Sequence, residues 1–368
     1  MLHPLPWLMA LLAGALTALS IVVLARYAGR LSLLDIPNGR KRHQVQTPVV
    51  GGLAVAIGFF ASALAGGYWG AISPAFWLAG AMLLATGMLD DMHEFSSKPK
   101  FAIQIAAGLM VIYWGGGLLH DLGDLFGFGN IKLGWAAVPF TVFGIIGVIN
   151  AINMIDGIDG LAGLLTLGSL LGFAAIAQSG GLTGDVALIL MLAAALAAFL
   201  AFNLRTPWHS RATVFMGDAG TLLLGFVLAW YAVTLANHPA GVMQPVTALW
   251  LLAIPLFDAV RMTAKRLCRG SNPFAADREH LHHLLMGFGL PTIKVVVIVG
   301  GVHCGFVAFG LANEFWLHWP EHVMYLGFLL LFAGYVVLLR QLQARLAADP
   351  AKEFPPPGCS RLKKIIFG

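Results

Sequence analysis

Charged side chains are scarce in this sequence. Asp, Glu, Lys and Arg make up only 11% of the 368 residues, whereas a soluble domain carries about 25%. Hydrophobic residues make up 59%, and the mean hydropathy is +0.82. So few charges cannot cover the surface of a soluble protein of this length. The composition therefore predicts an integral membrane protein.

Cysteine is also rare. The three cysteines, Cys268, Cys304 and Cys359, lie far apart and give no disulfide framework. Basic residues are absent ahead of the first apolar run, whereas a cleaved secretory signal begins with a positively charged segment. The first run is therefore predicted to be a retained helix.

Apolar runs of about 20 residues can cross the ~30 Å hydrocarbon core as helices, and an open sheet there would leave backbone groups unpaired. The sequence thus predicts an all-α, multi-pass transmembrane domain over residues 1–345. A basic, proline-rich tail over residues 346–368 is expected to be disordered at the membrane surface. The eleven predicted spans are 5–27, 47–68, 75–90, 101–118, 135–152, 159–179, 184–203, 216–236, 247–266, 291–312 and 321–341.

The distribution of Lys and Arg predicts the orientation of these helices. All of the 22 basic residues except Lys132 lie in the odd-numbered gaps or the tail, or in the span ends that border them. Cytoplasmic loops carry the excess of positive charge. We therefore expect the N-terminus to lie outside, and the odd-numbered loops and the C-terminus to lie in the cytoplasm.

The unusual polar residues fall in those same loops. The second cytoplasmic loop begins with the doublet Asp90–Asp91 at the end of an apolar helix. Two adjacent carboxylates suit a general base or a metal site, although a solvated helix end is the simpler alternative. Lys98 and Lys100 follow the doublet, and they can hold a phosphate or only add to the positive charge of the loop.

The third loop, "NAINMIDGIDG", is the most polar stretch between two uncharged runs. Asn150, Asn153, Asp156 and Asp159 recur at every third position, which places them along one slowly drifting stripe if the segment is helical. Amide and carboxylate oxygens are ligands that Mg²⁺ prefers, with substrate phosphates and water completing its shell. A hydrated helix cap is the alternative. Four oxygen-bearing side chains in ten residues favour a functional site.

The fourth loop contains "VFMGDAG", with Asp218 between glycines where a helix enters the membrane. This carboxylate can cap the helix or bind a metal ion. Phe215 can stack on a nucleotide base or only mark the membrane interface.

The fifth loop contains "DREHLHH", with Arg278 just ahead of His280, His282 and His283. A zinc site is the alternative, but no HExxH motif and no cysteines at metal-binding spacing accompany these histidines. Imidazolium groups beside an arginine instead suit a cationic clamp for phosphate oxygens.

Together these loops combine oxygen ligands for a hard cation with cationic side chains for phosphates. This equipment suits phosphoryl transfer at a membrane surface, where a soluble diphosphate meets a lipid phosphate. The residues by themselves leave the substrates open.

The loops, in this order, resemble the polyprenyl-phosphate N-acetylhexosamine-1-phosphate transferases. The resemblance rests on "LLDIPNGRKRH", "GMLDD", "NAINMIDGIDG", "VFMGDAGT" and "DREHLHHLLMGFG", and it extends from about Asp35 to Leu290. Thr221 stands where the family often has serine. Leu281 interrupts the histidine triplet that is typical of the peptidoglycan branch, so the last motif is more similar to the branch that transfers N-acetylglucosamine 1-phosphate to undecaprenyl phosphate.

This resemblance implies substrates and a metal ion. The donor would be UDP-N-acetylglucosamine, the acceptor undecaprenyl phosphate within the membrane lipids, and the cofactor Mg²⁺, with Mn²⁺ as the alternative. The product would prime O-antigen or a related surface glycan. A homodimer is an expected assembly, and nucleic acid is not an expected partner.

The resemblance also implies roles for individual residues. Asn153 and Asp218 would bind the metal ion, and Asp90 would act on the lipid phosphate with support from Asp91. The remaining candidates are Asp156, Asp159 and His280 as catalytic residues, and Lys100, Asn150, Phe215, Arg278, His282 and His283 as substrate-binding residues.

Three rival functions remain. A sister-branch transferase would use another UDP-N-acetylhexosamine. An intramembrane prenyltransferase usually carries an NDxxDxxxD-type run, which "NMIDGID" does not match. An ion-coupled transporter would place its polar residues near the midplane of two related halves, whereas here they gather towards one face and no internal repeat is seen.

The topology leads to a labelling prediction. A cysteine introduced near Asp121 should react with a membrane-impermeant thiol reagent added to intact cells, because its loop is predicted to lie outside. A cysteine introduced near Lys98 should react only after the membrane is permeabilised. The reverse labelling pattern would overturn the orientation and the cytoplasmic placement of the polar loops together.

Overall fold

The computed structural model describes residues 5–35, 46–93, 95–206, 211–270 and 279–348. These ranges are almost entirely helical, as the composition predicts. The first helices are α1 (Pro6–Tyr27), α2 (Gly51–Ala65), α3 (Pro74–His93), α4 (Ser97–Tyr113), α5 (Ala137–Ile155), α6 (Leu161–Ser179) and α7 (Thr183–Asn203). The remaining helices are α8 (Gly217–Ala236), α9 (Pro245–Leu251), α10 (Ala253–Cys268), α11 (Leu281–Gly287), α12 (Thr292–Ala312) and α13 (Glu321–Ala348).

Each of the eleven predicted apolar runs coincides with one helix, or in one case with the pair α9 and α10. Seven helices are long and apolar enough to cross a membrane, and the bent pair makes up to eight. The chain is thus a multi-pass membrane protein. The full count of eleven spans stays a prediction, since α2 has only 15 residues and α4 only 17, and the last turn of α3 carries Asp90 and Asp91.

The helix α8 lies at the centre of the bundle. In its most apolar window 83% of the residues are buried, whereas the figure is 17% for α1 and 22% for α13. A helix that is apolar on all sides and buried on all sides belongs to a core. It packs against α2, α3, α5 and α6, so its first residues are held by several neighbours at once.

Glycines let two of these neighbours approach α8 closely. A Cβ atom added to Gly52 of α2 would lie 2.2 Å from the backbone nitrogen of Gly220. A Cβ added to Gly87 of α3 would lie 2.4 Å from backbone atoms of Asp218 and Ala219. The N-terminal turn of α8 is therefore packed backbone against backbone.

The predicted ninth span is broken. Its halves α9 and α10 meet at an angle of 85°, and Pro255 lies in the first turn of the second half. The carbonyl oxygen of Leu251, freed at the break, accepts a hydrogen bond of 2.7 Å from the Ser169 hydroxyl on α6. The Ser169 oxygen also lies 3.1 Å from Nε2 of the buried His303 on α12. Since a backbone group freed within a membrane must find a partner, the hydrogen bond from Ser169 satisfies the carbonyl that the bend leaves unpaired.

One short hairpin was not predicted. Strand β1 (Leu34–Asp35) pairs antiparallel with β2 (Thr47–Pro48) ahead of α2. At the other end of the chain α13 runs to Ala348, slightly past the predicted domain boundary at residue 345. The tail predicted for residues 346–368 otherwise lies outside the described residues.

Candidate active site

Five helix ends meet at one end of the bundle, and they carry most of the residues predicted to form the site. They are the C-terminal ends of α3 and α5 and the N-terminal ends of α4, α8 and α11. A cavity of about 320 Å³ opens among them. Its lining residues are Ser97, Lys100, Phe101, Gln104, Asn150, Asn153, Met154, Gly157, Asp218, Leu222, Arg266, His280, His282 and His283.

Asp218 is the centre of the polar network in this cavity. One carboxylate oxygen accepts a hydrogen bond of 2.9 Å from the side-chain amide of Asn153 on α5. The other lies 3.2 Å from the ammonium of Lys100 on α4. The same Asn153 amide also donates to the hydroxyl of Thr221, one turn into α8. The third and fourth loops thus meet at Asp218, next to the Asn153 that the resemblance pairs with it as a metal ligand.

Lys100 joins this carboxylate to the doublet. Its ammonium lies 2.7 Å from one oxygen of Asp90 and also contacts Asp218, so one cation bridges two anions. The second oxygen of Asp90 accepts a hydrogen bond of 2.6 Å from the backbone of Phe95, in the connection that leads to α4. This arrangement holds Asp90 ionised beside the cavity, although it is not among the lining residues.

Asp91 makes different contacts from its neighbour. Its two oxygens accept hydrogen bonds of 2.8 and 3.0 Å from the backbone N–H groups of Asp218 and Ala219. The first N–H groups of a helix have no partner within the helix, and a carboxylate is the most favourable cap for them. Asp91 therefore caps α8 from another helix and fixes the backbone that carries Asp218.

The first loop adds a second support for the same turn. The backbone N–H groups of Gly51 and Gly52 donate to the carbonyl oxygens of Phe215 and Met216, each at 2.9 Å. The N–H of Phe215 in turn donates to the carbonyl of Pro48, at the end of the hairpin. The first and fourth loops are thus tied through their backbones. The Phe215 side chain is half-buried and does not line the cavity.

The stripe predicted for the third loop is helical only in its first half. Asn150 and Asn153 lie on α5, and Asn150 donates a hydrogen bond of 2.7 Å to the side-chain oxygen of Gln104. The helix ends at Ile155, so Asp156 and Asp159 occupy the turn before α6. The two carboxylates are therefore in a different environment from the two amides.

Asp159 forms an ion pair with an arginine of the fourth loop. One oxygen lies 2.6 Å from Nε of Arg205, after α7, and the neighbouring Gly160 N–H donates to the side chain of Asn203 at 2.6 Å. Gly160 has a φ of +85°, a conformation that L side chains rarely adopt. These contacts tie the third loop to the fourth. Asp156 is exposed, and its carboxylate interacts electrostatically with those of Asp218 and Asp159.

The three histidines of the fifth loop cluster at the cavity wall. The ring centroids of His282 and His283 are 4.2 Å apart, and those of His280 and His282 are 5.7 Å apart. Burial and the nearby His283 lower the pKa of His282 well below its usual value, so this ring is neutral. The expectation of an imidazolium is therefore wrong for His282. Arg278, the fourth predicted member, lies outside the described residues.

Neither ring nitrogen of His282 has a hydrogen-bond partner in the described part of the chain, although its side chain is only 1% exposed. A buried polar group without a partner is costly, and such groups mark positions where a ligand or water completes the bonding. His282 lines the cavity together with Gly157 of the third loop. The cavity therefore has unused hydrogen-bonding capacity on its histidine side.

The residues suit a divalent cation that is held jointly with a substrate. Among the described residues no group of three or more His, Cys, Asp or Glu side chains is arranged to hold a metal ion by itself. Mg²⁺, however, is usually bound by one or two carboxylates, with phosphates and water completing its shell. Asp218 and Asn153 supply a carboxylate and an amide in contact with each other at the cavity wall.

Some residues around the cavity were not predicted as site residues. Gln104 and Arg266 line it, and Asp258 contacts His280 from α10. Each is a polar residue within or beside an apolar helix, which is a signal of function in a membrane protein. That signal is present in the sequence, but the prediction of site residues was based on the loop motifs and did not include it.

The comparisons with known proteins agree with one another. The model of glycosyl transferase family 4 matches residues 73–236. The undecaprenyl-phosphate alpha-N-acetylglucosaminyl 1-phosphate transferase of Escherichia coli O157:H7 is 36% identical over 322 residues, which is 87% of this chain and 87% of that protein. The transferases of the same name from Haemophilus influenzae and Salmonella typhi are 35% and 34% identical, over 86% and 87% of this chain and 89% and 87% of their own lengths.

The Gly157→Ala substitution should displace His282 without unfolding the protein. A Cβ atom at position 157 would lie 2.1 Å from Nε2 of His282, and the end of a side chain can move where a backbone cannot. We expect the catalytic rate to fall by about 10- to 100-fold, since small displacements of positioning groups have effects of that order. The thermal unfolding temperature should stay close to that of the wild type.

Gly147→Ala is the matched control, because a Cβ at that position on α5 meets nothing within 4 Å. It should leave both the rate and the unfolding temperature unchanged. A wild-type rate in Gly157→Ala would show that the position of His282 has no bearing on the reaction.

Proposed function

The chain belongs to glycosyl transferase family 4 and is a phosphoglycosyl transferase that uses undecaprenyl phosphate, and we propose that its sugar donor is UDP-N-acetylglucosamine. The observation that carries this proposal is the cavity in which Asp218, Asn153 and Lys100 meet a histidine cluster. It offers an oxygen-ligand side and a hydrogen-bonding side for a diphosphate. The products would be undecaprenyl-diphospho-N-acetylglucosamine and UMP.

Two walls of the cavity would hold the donor. Lys100 would lie against the diphosphate, since an ammonium between two carboxylates is charged and fixed in place. Asn150, His282 and His283 would contact the sugar phosphate from the cavity wall. The resemblance adds Arg278 to this group, and it gives Phe215, which does not line the cavity, the role of stacking on the uracil. Asp156 and Asp159 would shape the turn beside the nucleotide, with Asp159 held by its ion pair to Arg205.

Asp218 and Asn153 would hold the cofactor Mg²⁺, or Mn²⁺ in its place. When bound, the cation neutralises the negative charge on the diphosphate and on the departing phosphate. The protein residues have the complementary task of orienting the donor. Capping by Asp91 keeps the Asp218 carboxylate at one position of the cavity wall.

The reaction would be an attack of the lipid phosphate on the β-phosphorus of the donor. A new bond forms between a lipid phosphate oxygen and that phosphorus, and the bond from the phosphorus to the bridging oxygen breaks. The bridging oxygen leaves with UMP. Asp90 would accept the remaining proton of the lipid phosphate or orient it, and His280 would contact the phosphates from the opposite wall.

The proposed membrane arrangement follows from the loop charges. The cavity would face the cytoplasm of a bacterial inner membrane, where UDP-sugars are available, with the N-terminus outside and the tail inside. The product would prime O-antigen or a related surface glycan. A sister-branch enzyme that uses another UDP-N-acetylhexosamine is the second candidate. The transporter and the prenyltransferase are set aside by the family membership.

A panel of donors tests the substrate. The purified enzyme with Mg²⁺ and undecaprenyl phosphate should transfer labelled N-acetylglucosamine 1-phosphate from its UDP-sugar at the highest kcat/KM. UDP-N-acetylgalactosamine and 6-deoxy analogues of the fucosamine and quinovosamine type complete the panel. Preferential use of a 6-deoxy analogue would move the enzyme to a sister branch without changing the reaction class.

The Asp218→Asn substitution tests the metal site. The amide keeps the size of the side chain but removes the negative charge that favours Mg²⁺, so we expect loss of nearly all activity and weaker Mg²⁺-dependent binding of UDP. Binding is measured by calorimetry with and without Mg²⁺. The control is Asp121→Asn, in the loop between α4 and α5, which should behave as wild type. Unchanged metal dependence of binding in Asp218→Asn would reject the assignment.

The two carboxylates of the doublet should differ in their pH profiles. The second pKa of a phosphate monoester is near 6, so a base matters most at low pH, where the lipid phosphate is protonated. Asp90→Asn should therefore lose most activity at low pH and recover in part as pH rises. Asp91→Asn should lower the rate by a similar factor at every pH, because Asp91 contacts the α8 backbone.

Rates against pH at saturating Mg²⁺ distinguish these cases. A flat deficit in Asp90→Asn combined with alkaline recovery in Asp91→Asn would mean that the two roles are exchanged. Flat deficits in both variants would mean that neither carboxylate is the base.

A further inference from the structure

A buried carboxylate lies directly behind the first histidine of the fifth loop. Asp258, on α10, is 1% exposed. One of its oxygens lies 2.6 Å from Nδ1 of His280, and the other accepts hydrogen bonds from the backbone of Leu281 at 3.2 Å and from the hydroxyl of Tyr335 at 2.9 Å. The carboxylate is thus surrounded by donors, and three elements of the chain converge on it.

The contact fixes which nitrogen of His280 is available. An ionised carboxylate can only accept a hydrogen bond, so Nδ1 of His280 must carry the proton in this contact. The other nitrogen, Nε2, is then left for the cavity that His280 lines. A second partner of this kind commonly sets the tautomer and the orientation of a functional histidine.

The donor Tyr335 comes from α13, far from every motif that was noted in the sequence. The C-terminal half of that helix contacts the histidine segment at further points. Gln343 donates a hydrogen bond of 3.0 Å to the side chain of Glu279, next to His280. Leu339 and Leu346 are buried in the same apolar cluster as Leu281 and Leu284 of α11. One face of α13 therefore supports the segment over three turns.

We propose that Asp258 and Tyr335 are positioning residues for the transferase reaction. Through Asp258, the hydroxyl on α13 holds His280 in one orientation, with Nε2 directed at a phosphate oxygen in the cavity. That oxygen belongs to the donor diphosphate or to the lipid phosphate, which share the same chemistry. This inference rests on the proposed role of His280 at the phosphates, and it adds two residues and one helix to the site.

The smallest test is Tyr335→Phe, which removes one hydroxyl and leaves the packing of the ring against Phe257 in place. We expect kcat to fall by about fivefold, the factor that corresponds to the loss of one ordinary hydrogen bond. The unfolding temperature should change little. Tyr325→Phe is the matched control on the same helix, since Tyr325 contacts Phe126 at the other end of α13, and it should behave as wild type.

Asp258→Asn should lower kcat further than Tyr335→Phe does. In hydrolytic triads, replacing the carboxylate behind a histidine with an amide favours the wrong tautomer and lowers kcat by about 10⁴-fold. We expect a loss of about 100-fold or more here, because phosphoryl transfer depends less on a single proton acceptor. Tyr335→Phe keeps the test decisive if Asp258→Asn does not fold.

A double-mutant cycle separates positioning from general stability. Tyr335→Phe is combined with His280→Ala, and transfer is followed under single-turnover conditions with whichever UDP-sugar the wild type uses best. If Tyr335 acts only through His280, then adding Tyr335→Phe to His280→Ala should cause no further loss of rate. In steady-state assays of Tyr335→Phe, a rise in KM for just one of the two substrates would show whether the donor or the lipid supplies the phosphate oxygen.

Two results would overturn the proposal. They are wild-type kinetics in Tyr335→Phe, and a further loss of rate when that change is added to His280→Ala. Failure of the proposed donor would appear elsewhere, in the choice of UDP-sugar by the wild-type enzyme, and would leave this comparison of variants intact.

Discussion

The first backbone N–H groups of α8 impose the constraint on which the site depends. These donors have no partner within their own helix, and the helix lies at the centre of a membrane protein, where an unpaired group is costly. Asp91 of α3 satisfies the N–H groups of Asp218 and Ala219. Asp91, which was predicted only as a support for Asp90, thus serves a structural need of its own. That need ties the end of α3 to the start of α8.

This tie places the functional groups. With α8 capped by α3 and packed against Gly52 and Gly87, the Asp218 carboxylate lies beside α4 and α5. There it meets Asn153 and Lys100, and Lys100 brings Asp90 into the same network. Side-chain amides and ammonium groups hold the carboxylates, while backbone contacts hold the helix. The carboxylates and the helix are therefore held by contacts within the protein, which suits catalysis by positioning and charge.

The histidine side of the cavity is built differently. The short helix α11 has seven residues, too few to be stable by itself, so its orientation depends on other elements. Asp258 caps its start and binds His280, and α13 packs along it. The ion pairs of Glu279 with Lys265 and Arg269 add polar contacts to α10 at the same place. A histidine of the cavity is thus positioned by the peripheral helix α13 together with α10.

The sequence by itself determined the class of the protein and the positions of its helices, and it indicated the chemistry of its motifs. Apolar runs of membrane-spanning length can only be helices, and the oxygen and cationic side chains between them favour phosphate and metal chemistry. Tertiary structure decided which of these groups meet. Asp90 and Asp91 have different partners, Asp159 pairs with Arg205, and Tyr335 contacts Asp258, and most of these contacts join residues that are distant in the chain. The break at Leu252 is likewise accompanied by a hydrogen bond to another helix. Periodicity gives the face of each helix but not its neighbour, so contacts between helices emerge only when the whole bundle is packed.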